Sequence, residues 1–212
     1  MLSLLSILSI ENMFLSSAVA EKGNRKSNLQ EVLTRFLPVS SGSVNVIGRG
    51  PANNRVLTSD HLAKVNLLHE YIRAQNKALF CKQNFVNKNN IKRAVLIREQ
   101  LEQYLLQIVK ERQKKDFFKI GSQTKALSTE IHKESLNSNS IQNWIKCMSK
   151  GCMYSTARLA KDGRYKIYRS GQEAFIHPES LVFYLPQKPQ LIVFSQVVRT
   201  SKVYLKDITP LP

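Results

Sequence analysis

Cysteine is scarce in this sequence. Its 212 residues include three, Cys81, Cys147 and Cys152, an odd number without a tight spacing. This pattern excludes a disulfide framework and is typical of a reducing compartment. No second Cys or His pair stands at metal-ligand spacing from Cys147 and Cys152, so we interpret the thiols as small apolar side chains.

Acidic residues are scarce as well. Fifteen Asp and Glu stand against 32 Lys and Arg, which leaves a formal net charge of +17 and an isoelectric point near 10.0. The first sixty residues carry six basic and four acidic side chains, so almost all of the excess lies in the rest of the chain. This charge favours a polyanionic partner, either nucleic acid or an anionic membrane surface.

The motifs of common catalytic centres are absent too. There is no Gly-x-x-x-x-Gly-Lys-Ser/Thr loop, and the run 48–50, Gly-Arg-Gly, is followed by Pro51 rather than by a helix start. No nucleophile motif or paired-acid signature occurs. The four histidines are scattered without ligand spacing: His61, His69, His132 and His177. We therefore predict no catalytic, cofactor-binding or metal-binding residue in this chain.

No hydrophobic run is long enough to span a bilayer. The apolar run 1–10 and the Ala-Val-Ala at 18–20 resemble a signal peptide, but no positive residue precedes the run and polar residues interrupt it. The alternative is a core helix, which we favour because of the helical spacing of Leu4, Leu5, Leu8 and Leu15.

Helical signals continue after a long polar stretch. A loop is predicted over 16–58, with a short helix at 29–36. Thr58 or Ser59 can cap the next helix, and Asp60 suits its positive end. Its apolar face is predicted to consist of Leu62, Val65, Leu68 and Ile72.

The strongest helix pattern runs from 91 to 114. Its apolar side chains repeat every 3.6 residues: Ala94, Ile97, Leu101, Tyr104, Leu105 and Ile108. The opposite face carries mixed charges, which we interpret as solvated. A polar stretch predicts a linker at 114–139, and a short helix anchored by Trp144 follows at 141–149.

After Gly151 the period changes from 3.6 to 2. Five strands are predicted, at 153–159, 164–169, 173–177, 191–200 and 203–208. Asp162-Gly163 and Ser170-Gly171 predict the turns between the first three. The fold class is therefore α+β, with a helical region at 1–113 and a small antiparallel five-stranded barrel, an OB-fold, at 140–209.

Basic and aromatic residues alternate along the first two predicted strands. Alternation places Tyr154, Thr156 and Arg158 on one face, and Arg164, Lys166 and Tyr168 on another. Aromatic rings stack on unpaired bases and cations neutralise phosphates, so this pattern favours single-strand binding. The alternative is that the tyrosines pack the barrel. From these strands the residues predicted to bind a single strand are Tyr154, Arg158, Lys161, Arg164, Lys166, Tyr168 and Arg169.

Several segments of the second half resemble the C-terminal OB-fold of DEAH-box RNA helicases. Residues 152–165, C-M-Y-S-T-A-R-L-A-K-D-G-R-Y, are similar to its opening A-R and D-G-x-Y pattern. Residues 176–181, I-H-P-E-S-L, resemble its I-H-P-S-S motif, with Glu179 in place of the usual Ser. Residues 200–209, T-S-K-V-Y-L-K-D-I-T, are similar to its closing strand.

Upstream segments resemble the helicase-associated ratchet domain of the same family. They are S-D-H-L at 59–62, F-C-K-Q-N-F at 80–85, I-R-E-Q-L at 97–101 and the apolar segment 5–14. The blocks follow the family's order, although the stretches 16–58 and 113–138 are longer than is typical of it. The resemblance adds His177 and Lys202 to the predicted RNA-binding residues.

The resemblance implies an RNA-binding auxiliary region of an ATP-dependent RNA helicase, without the motor domains. It implies single-stranded RNA, the motor domains and a glycine-rich activator of the G-patch type as partners, and a nuclear, nucleolar or cytoplasmic protein rather than a secreted one. ATP and Mg²⁺ are cofactors of a full-length member. The alternative is a stand-alone RNA-binding or partner-docking module. Without a neighbouring domain, we expect the helical region to expose Leu2, Leu5 and Met13, and the barrel to fold alone.

Overall fold

The computed structural model describes residues 1–15, 29–37, 58–115 and 138–211. Most of the predicted loop at 16–58 and of the predicted linker at 114–139 lies outside these residues, as does His132. None of the described helices is long and apolar enough to cross a membrane.

In this part of the chain, six helices precede the strands. They are α1 (Leu2–Leu8), α2 (Leu29–Arg35), α3 (Asp60–Arg73), α4 (Lys77–Gln83), α5 (Lys88–Lys115) and α6 (Ser138–Gly151). Of the two predicted caps of α3, Ser59 is the one used, because its hydroxyl accepts a hydrogen bond from the Leu62 amide at 3.2 Å. Helix α5 begins at Lys88, three residues before the predicted Ile91, since the Asn87 side-chain oxygen accepts hydrogen bonds from the Asn89 and Asn90 amides.

The N-terminal segment packs into the helical core, as the core-helix interpretation expects. Helix α1 lies against α3 and α5, with Leu4 and Ile7 buried. The helix ends at Leu8, however, and does not reach Leu15 as predicted. The following turn replaces the helical spacing, so that Ile10 and Met13 are buried while Leu5, Leu8 and Leu15 are exposed.

Two predicted apolar faces are partly wrong. Helix α3 buries Tyr71 instead of Ile72, whose side chain is 40% exposed. Helix α5 buries Ile91 and Ala94 near its start, but Tyr104 further along is 64% exposed. The periodicity identifies an amphipathic helix, and the neighbours of that helix decide how much of its apolar face is covered.

Five strands close into a barrel. They are β1 (Thr156–Leu159), β2 (Tyr165–Ile167), β3 (Glu173–Ile176), β4 (Leu191–Arg199) and β5 (Val203–Leu211). Their order is β1-β2-β3-β5-β4, with β4 paired back to β1 and a parallel β3–β5 pair. This topology confirms the predicted α+β class and OB-fold. Gly163 and Gly171 take positive φ at the two predicted turns.

The barrel has its own interior and also shares the core of the helical region. Its interior contains Tyr165, whose hydroxyl donates a hydrogen bond to the Pro189 carbonyl at 2.7 Å. Outside it, Val193 and Leu211 of the barrel belong to the same apolar cluster as Trp144 of α6. The core of the helical region therefore extends onto the barrel through Val193 and Leu211, while the barrel interior is a separate cluster.

Candidate nucleic-acid interface

The outer face of the barrel carries the predicted cations of β1 and β2. Arg158 lies opposite Lys166, and Lys166 lies opposite Glu173 of β3, so three charged side chains form a row across the sheet. All three are exposed. Arg158 and Lys166 form no ion pair with any described residue, which leaves both charges available to a ligand.

Directly after β2, aromatic and basic side chains lie together. The Arg169 guanidinium lies over the Tyr154 ring at 5.5 Å, and Tyr168 is 80% exposed. Tyr154 belongs to a 3₁₀ helix, Met153–Ser155, rather than to a strand. The predicted alternation of Tyr154, Thr156 and Arg158 is therefore wrong, because Thr156 is buried.

The turn between β1 and β2 contributes Lys161 and Arg164. The Arg164 guanidinium pairs with Asp162 at 2.8 Å and with Glu173, so much of its charge is already neutralised. Lys161 is exposed at the turn and has no ion-pair partner among the described residues. Of the two, Lys161 is the freer charge.

A second group of side chains lies across β3 and β5. The Lys202 ammonium is 5.1 Å from the centre of the Phe175 ring, and Phe175 contacts Tyr204 at 6.3 Å between ring centres. The His177 ring meets the edge of Tyr204 at 5.6 Å. Phe175 and Tyr204 were not among the predicted residues, although alternation along β3 and β5 would have placed them on the outer face.

Behind this surface, the first turn of α3 holds the barrel through buried polar contacts. Both carboxylate oxygens of Asp60 accept hydrogen bonds: Oδ2 from the Ser180 hydroxyl at 2.6 Å and the Ile208 amide at 2.8 Å, and Oδ1 from the Leu181 amide at 2.9 Å. The Thr209 hydroxyl lies 2.6 Å from that of Ser59. We call these residues, with His61, Lys64 and Asp207, the clasp.

The other clasp contacts also join α3 to β5. His61 Nδ1 lies 2.8 Å from the Thr209 hydroxyl oxygen, and the Lys64 ammonium pairs with Asp207 at 2.6 Å. Asp207 takes a φ of 56°, and the opposite Ser195 is missing from the β4–β5 register. Residues 59–64 thus contact three consecutive residues of the closing strand, 207–209.

Burial controls the ionisation of the clasp. It raises the pKa of Asp60 to about 6, against the hydrogen bonds from Ser180 and from the Ile208 and Leu181 amides, which lower it. It lowers the pKa of His61 to about 4. For Asp207 burial alone would raise the pKa, but the Lys64 ammonium and His61 bring it below the ordinary value. At neutral pH, Asp60 and Asp207 are charged and His61 is neutral.

A cavity of about 550 Å³ opens beside the clasp. Asp60, Lys64 and Asp207 of the clasp line it, and its other polar walls come from several parts of the chain, among them Asn12, Asn87, Asn90, Gln196 and Lys206. Within the described ranges, no group of three or more His, Cys, Asp or Glu side chains is arranged to hold a metal ion.

Comparison with known proteins agrees with this geometry. Residues 144–212 match the oligonucleotide/oligosaccharide-binding (OB)-fold family model that describes the C-terminal part of DEAH-box helicases. The chain is 27% identical over 150 residues to the probable ATP-dependent RNA helicase DHX35 of Homo sapiens, and 26% over 149 residues to the ATP-dependent RNA helicase DHX33 of Mus musculus. The chain is homologous to DEAH-box RNA helicases. It is also 27% identical over 130 residues to the Arabidopsis thaliana pre-mRNA-splicing factor ATP-dependent RNA helicase DEAH10.

These matches cover most of this chain but only a small part of each helicase. They include 71%, 70% and 61% of this chain, but only 18%, 18% and 15% of the human, mouse and Arabidopsis helicases. The chain therefore spans less than a fifth of the length of these curated relatives.

The helicase-like sequence blocks meet in the clasp. S-D-H-L at 59–62 supplies Asp60, I-H-P-E-S-L at 176–181 supplies its partners Ser180 and Leu181, and the closing block at 200–209 ends in the strand that Asp60 also bonds. Blocks that lie about 120 to 150 residues apart in the sequence of this helicase homologue are thus in direct contact.

Proposed function

We propose that the barrel binds single-stranded RNA as the C-terminal auxiliary region of an ATP-dependent RNA helicase. The observation that carries the proposal is the outer face of β1–β3 and β5, where unpaired cations lie among exposed aromatic rings. Oligonucleotides bind the strand 2–3 face of OB-folds and the loops that join strands 1 to 2 and 4 to 5. Lys166, Lys161 and Lys202 occupy these three places.

Charge supports the same proposal. Residues 144–212 contain eleven Lys and Arg against four Asp and Glu, and all four of those acids are already ion-paired. Cations neutralise the backbone phosphates, while rings such as Tyr168 stack on bases without regard to sequence. This combination favours binding of an unpaired strand over binding of a duplex.

The proposal extends to the setting of the barrel. In a helicase of this kind, ATP and Mg²⁺ serve the motor domains, and the auxiliary region holds the strand on which the motor acts. The motor domains, and a glycine-rich activator of the G-patch type, are the protein partners that we propose, in the nucleus, the nucleolus or the cytoplasm.

The test is the salt dependence of RNA binding by the full chain. Fluorescence anisotropy with a labelled twelve-nucleotide U strand should give a log K that falls linearly with log salt, by roughly 0.7 per phosphate neutralised. The double variant Arg158→Ala with Lys166→Ala should bind about tenfold more weakly, with a slope shallower by up to about 1.4.

The control variant removes the same charge elsewhere. Lys82 and Lys110 are exposed on α4 and α5, so Lys82→Ala with Lys110→Ala matches the loss of two cations outside the barrel. It should leave the affinity within about twofold. An equal loss in both double variants, or an unchanged slope in the first, would contradict binding by the barrel face.

A further inference from the structure

Asp60 makes contacts that reach beyond its own helix. Its side chain is fully buried at the start of α3, yet its three hydrogen-bond donors come from the 180–181 turn and from β5. A buried carboxylate is costly unless its oxygens are satisfied, and here three donors satisfy them. A capping or helix-dipole role would not require any of these partners.

The turn that Asp60 holds leads directly to the aromatic group on the outer face. The Ser180 amide donates to the His177 carbonyl at 3.0 Å, and the Glu179 amide donates to His177 Nδ1 at 3.2 Å. The His177 amide in turn donates to the Leu205 carbonyl at 2.9 Å. His177 is thereby fixed between the turn and β5, with its ring against Tyr204.

Asp60 also holds β5, the strand that carries Tyr204 of the His177–Tyr204 pair. The Ile208 amide that bonds Asp60 lies three residues beyond Leu205 and four beyond Tyr204 on β5. Glu179 also pairs with Lys206 at 2.6 Å, which ties the turn to the strand a second time. The two elements that carry His177 and Tyr204 are thus both attached to one carboxylate.

We propose that Asp60 is a positioning residue for RNA binding: it sets the 177–181 turn against β5 and so orients the His177–Tyr204 pair that a base stacks on. The inference rests on the proposed function of the barrel. It assigns to a side chain of the helical region a part in the nucleic-acid surface of the barrel, without any contact between Asp60 and RNA.

The test compares variants of the clasp with a variant of the helical core. Asp60→Asn keeps the shape of the side chain but replaces one accepting oxygen with an NH₂ group that faces hydrogen-bond donors. Ser180→Ala is a smaller change, because it removes one of the three donors and leaves the carboxylate. Val65→Ala is the matched control, because Val65 is buried on the same helix and belongs to the helical core cluster. All three should lower the unfolding midpoint in urea.

Only the clasp variants should change RNA binding. We expect Asp60→Asn to bind the U strand about tenfold and Ser180→Ala about threefold more weakly than the natural chain, with an unchanged salt slope, because no cation is lost. Val65→Ala should bind like the natural chain. Weakening that is equal in Val65→Ala and Ser180→Ala, or absent in both clasp variants, would overturn the positioning role.

An NMR measurement separates this inference from the proposed function. The His177 ring resonances should shift in Asp60→Asn and Ser180→Ala, but not in Val65→Ala, in the absence of RNA; unmoved resonances in the clasp variants would overturn the inference. If the rings shift as expected but the natural chain binds no RNA, the proposed function fails, and the role in RNA binding fails with it.

Discussion

At the scale of single residues, Asp207 combines an ion pair with a backbone conformation that suits few side chains. Its φ of 56° lies in the left-handed region, which costs a residue with a β-carbon about 1–2 kcal/mol, although Asp tolerates it better than most. Its carboxylate pairs with Lys64 across the seam between α3 and β5. The ion pair and the conformation therefore make separable contributions to stability.

Two substitutions of Asp207 separate the contribution of its ion pair from the cost of its left-handed backbone conformation. Asp207→Ala removes the carboxylate and retains a β-carbon, whereas Asp207→Gly removes both. Both variants should be less stable than the natural chain, and the glycine variant should exceed the alanine variant by about 1 kcal/mol in free energy of unfolding, measured in urea. An alanine variant as stable as the glycine variant would show that the backbone there is relaxed.

At the scale of elements, the first turn of α3 links two protonation equilibria of opposite sign. Asp60 has a pKa of about 6 in the fold, against 3.8 as its ordinary value, and His61 about 4 against 6.5. Between pH 7 and pH 5 the folded chain takes up a proton on Asp60, which adds stability. Over the same range the unfolded chain takes up a proton on His61, which removes stability.

Single variants should reveal these opposing effects. Relative to the natural chain, Asp60→Asn should lose about 1–2 kcal/mol of unfolding free energy between pH 7 and pH 5, because His61 alone remains, and His61→Gln should gain a similar amount. Urea unfolding at pH 7, 6 and 5 measures both. Parallel pH profiles for the two variants would show that neither group titrates as described.

The elements also show how far sequence reasoning reaches. The strands and both glycine turns follow from alternation and turn chemistry, which are local, and a cap at Thr58 or Ser59 follows for the same reason. The clasp could not be read in this way, since Asp60 meets Ile208 across 148 positions. Locally, Asp60 resembles an ordinary helix-end carboxylate, and nothing in its neighbours indicates the donors that it binds.

In the candidate site, too, the sequence predicts the local features but not the contacts between distant segments. Lys166 reaches the outer face because alternation along β2 places it between two buried neighbours, whereas the face predicted for Arg158 includes Thr156, which is buried. Tyr165 stands between Arg164 and Lys166 in the sequence, but its side chain fills the barrel interior. Arg164 is recognisable as a surface cation, whereas its pairing with Glu173 depends on the approach of β3.

At the scale of the whole molecule, the apolar cluster that the helices share with β4 and β5 changes the expected behaviour of the two regions. The sequence predicts a barrel that folds alone and a helical region with Leu2, Leu5 and Met13 uncovered. Met13 is in fact buried, while Leu5 is exposed. Helix α6 contributes Trp144 to the core cluster of the helical region, so a barrel fragment that includes α6 would expose that apolar side.

We therefore expect that neither fragment 1–115 nor fragment 138–212 folds cooperatively as a monomer on its own. Each should bind a dye that reports exposed apolar surface, and mixing them should lower the dye signal and give one cooperative melt. Size-exclusion chromatography and thermal melts of the separate and mixed fragments measure this. A barrel fragment that melts sharply as a monomer without binding dye would contradict the shared core.

Trp144 gives this architecture an optical signature. It is the single tryptophan of the sequence, it is buried on α6, and it lies in the cluster that also includes Val193 and Leu211 of the barrel. Indole emission moves to longer wavelength when the ring meets water. The emission wavelength of the intrinsic fluorescence therefore reports, without any label, whether this cluster is packed.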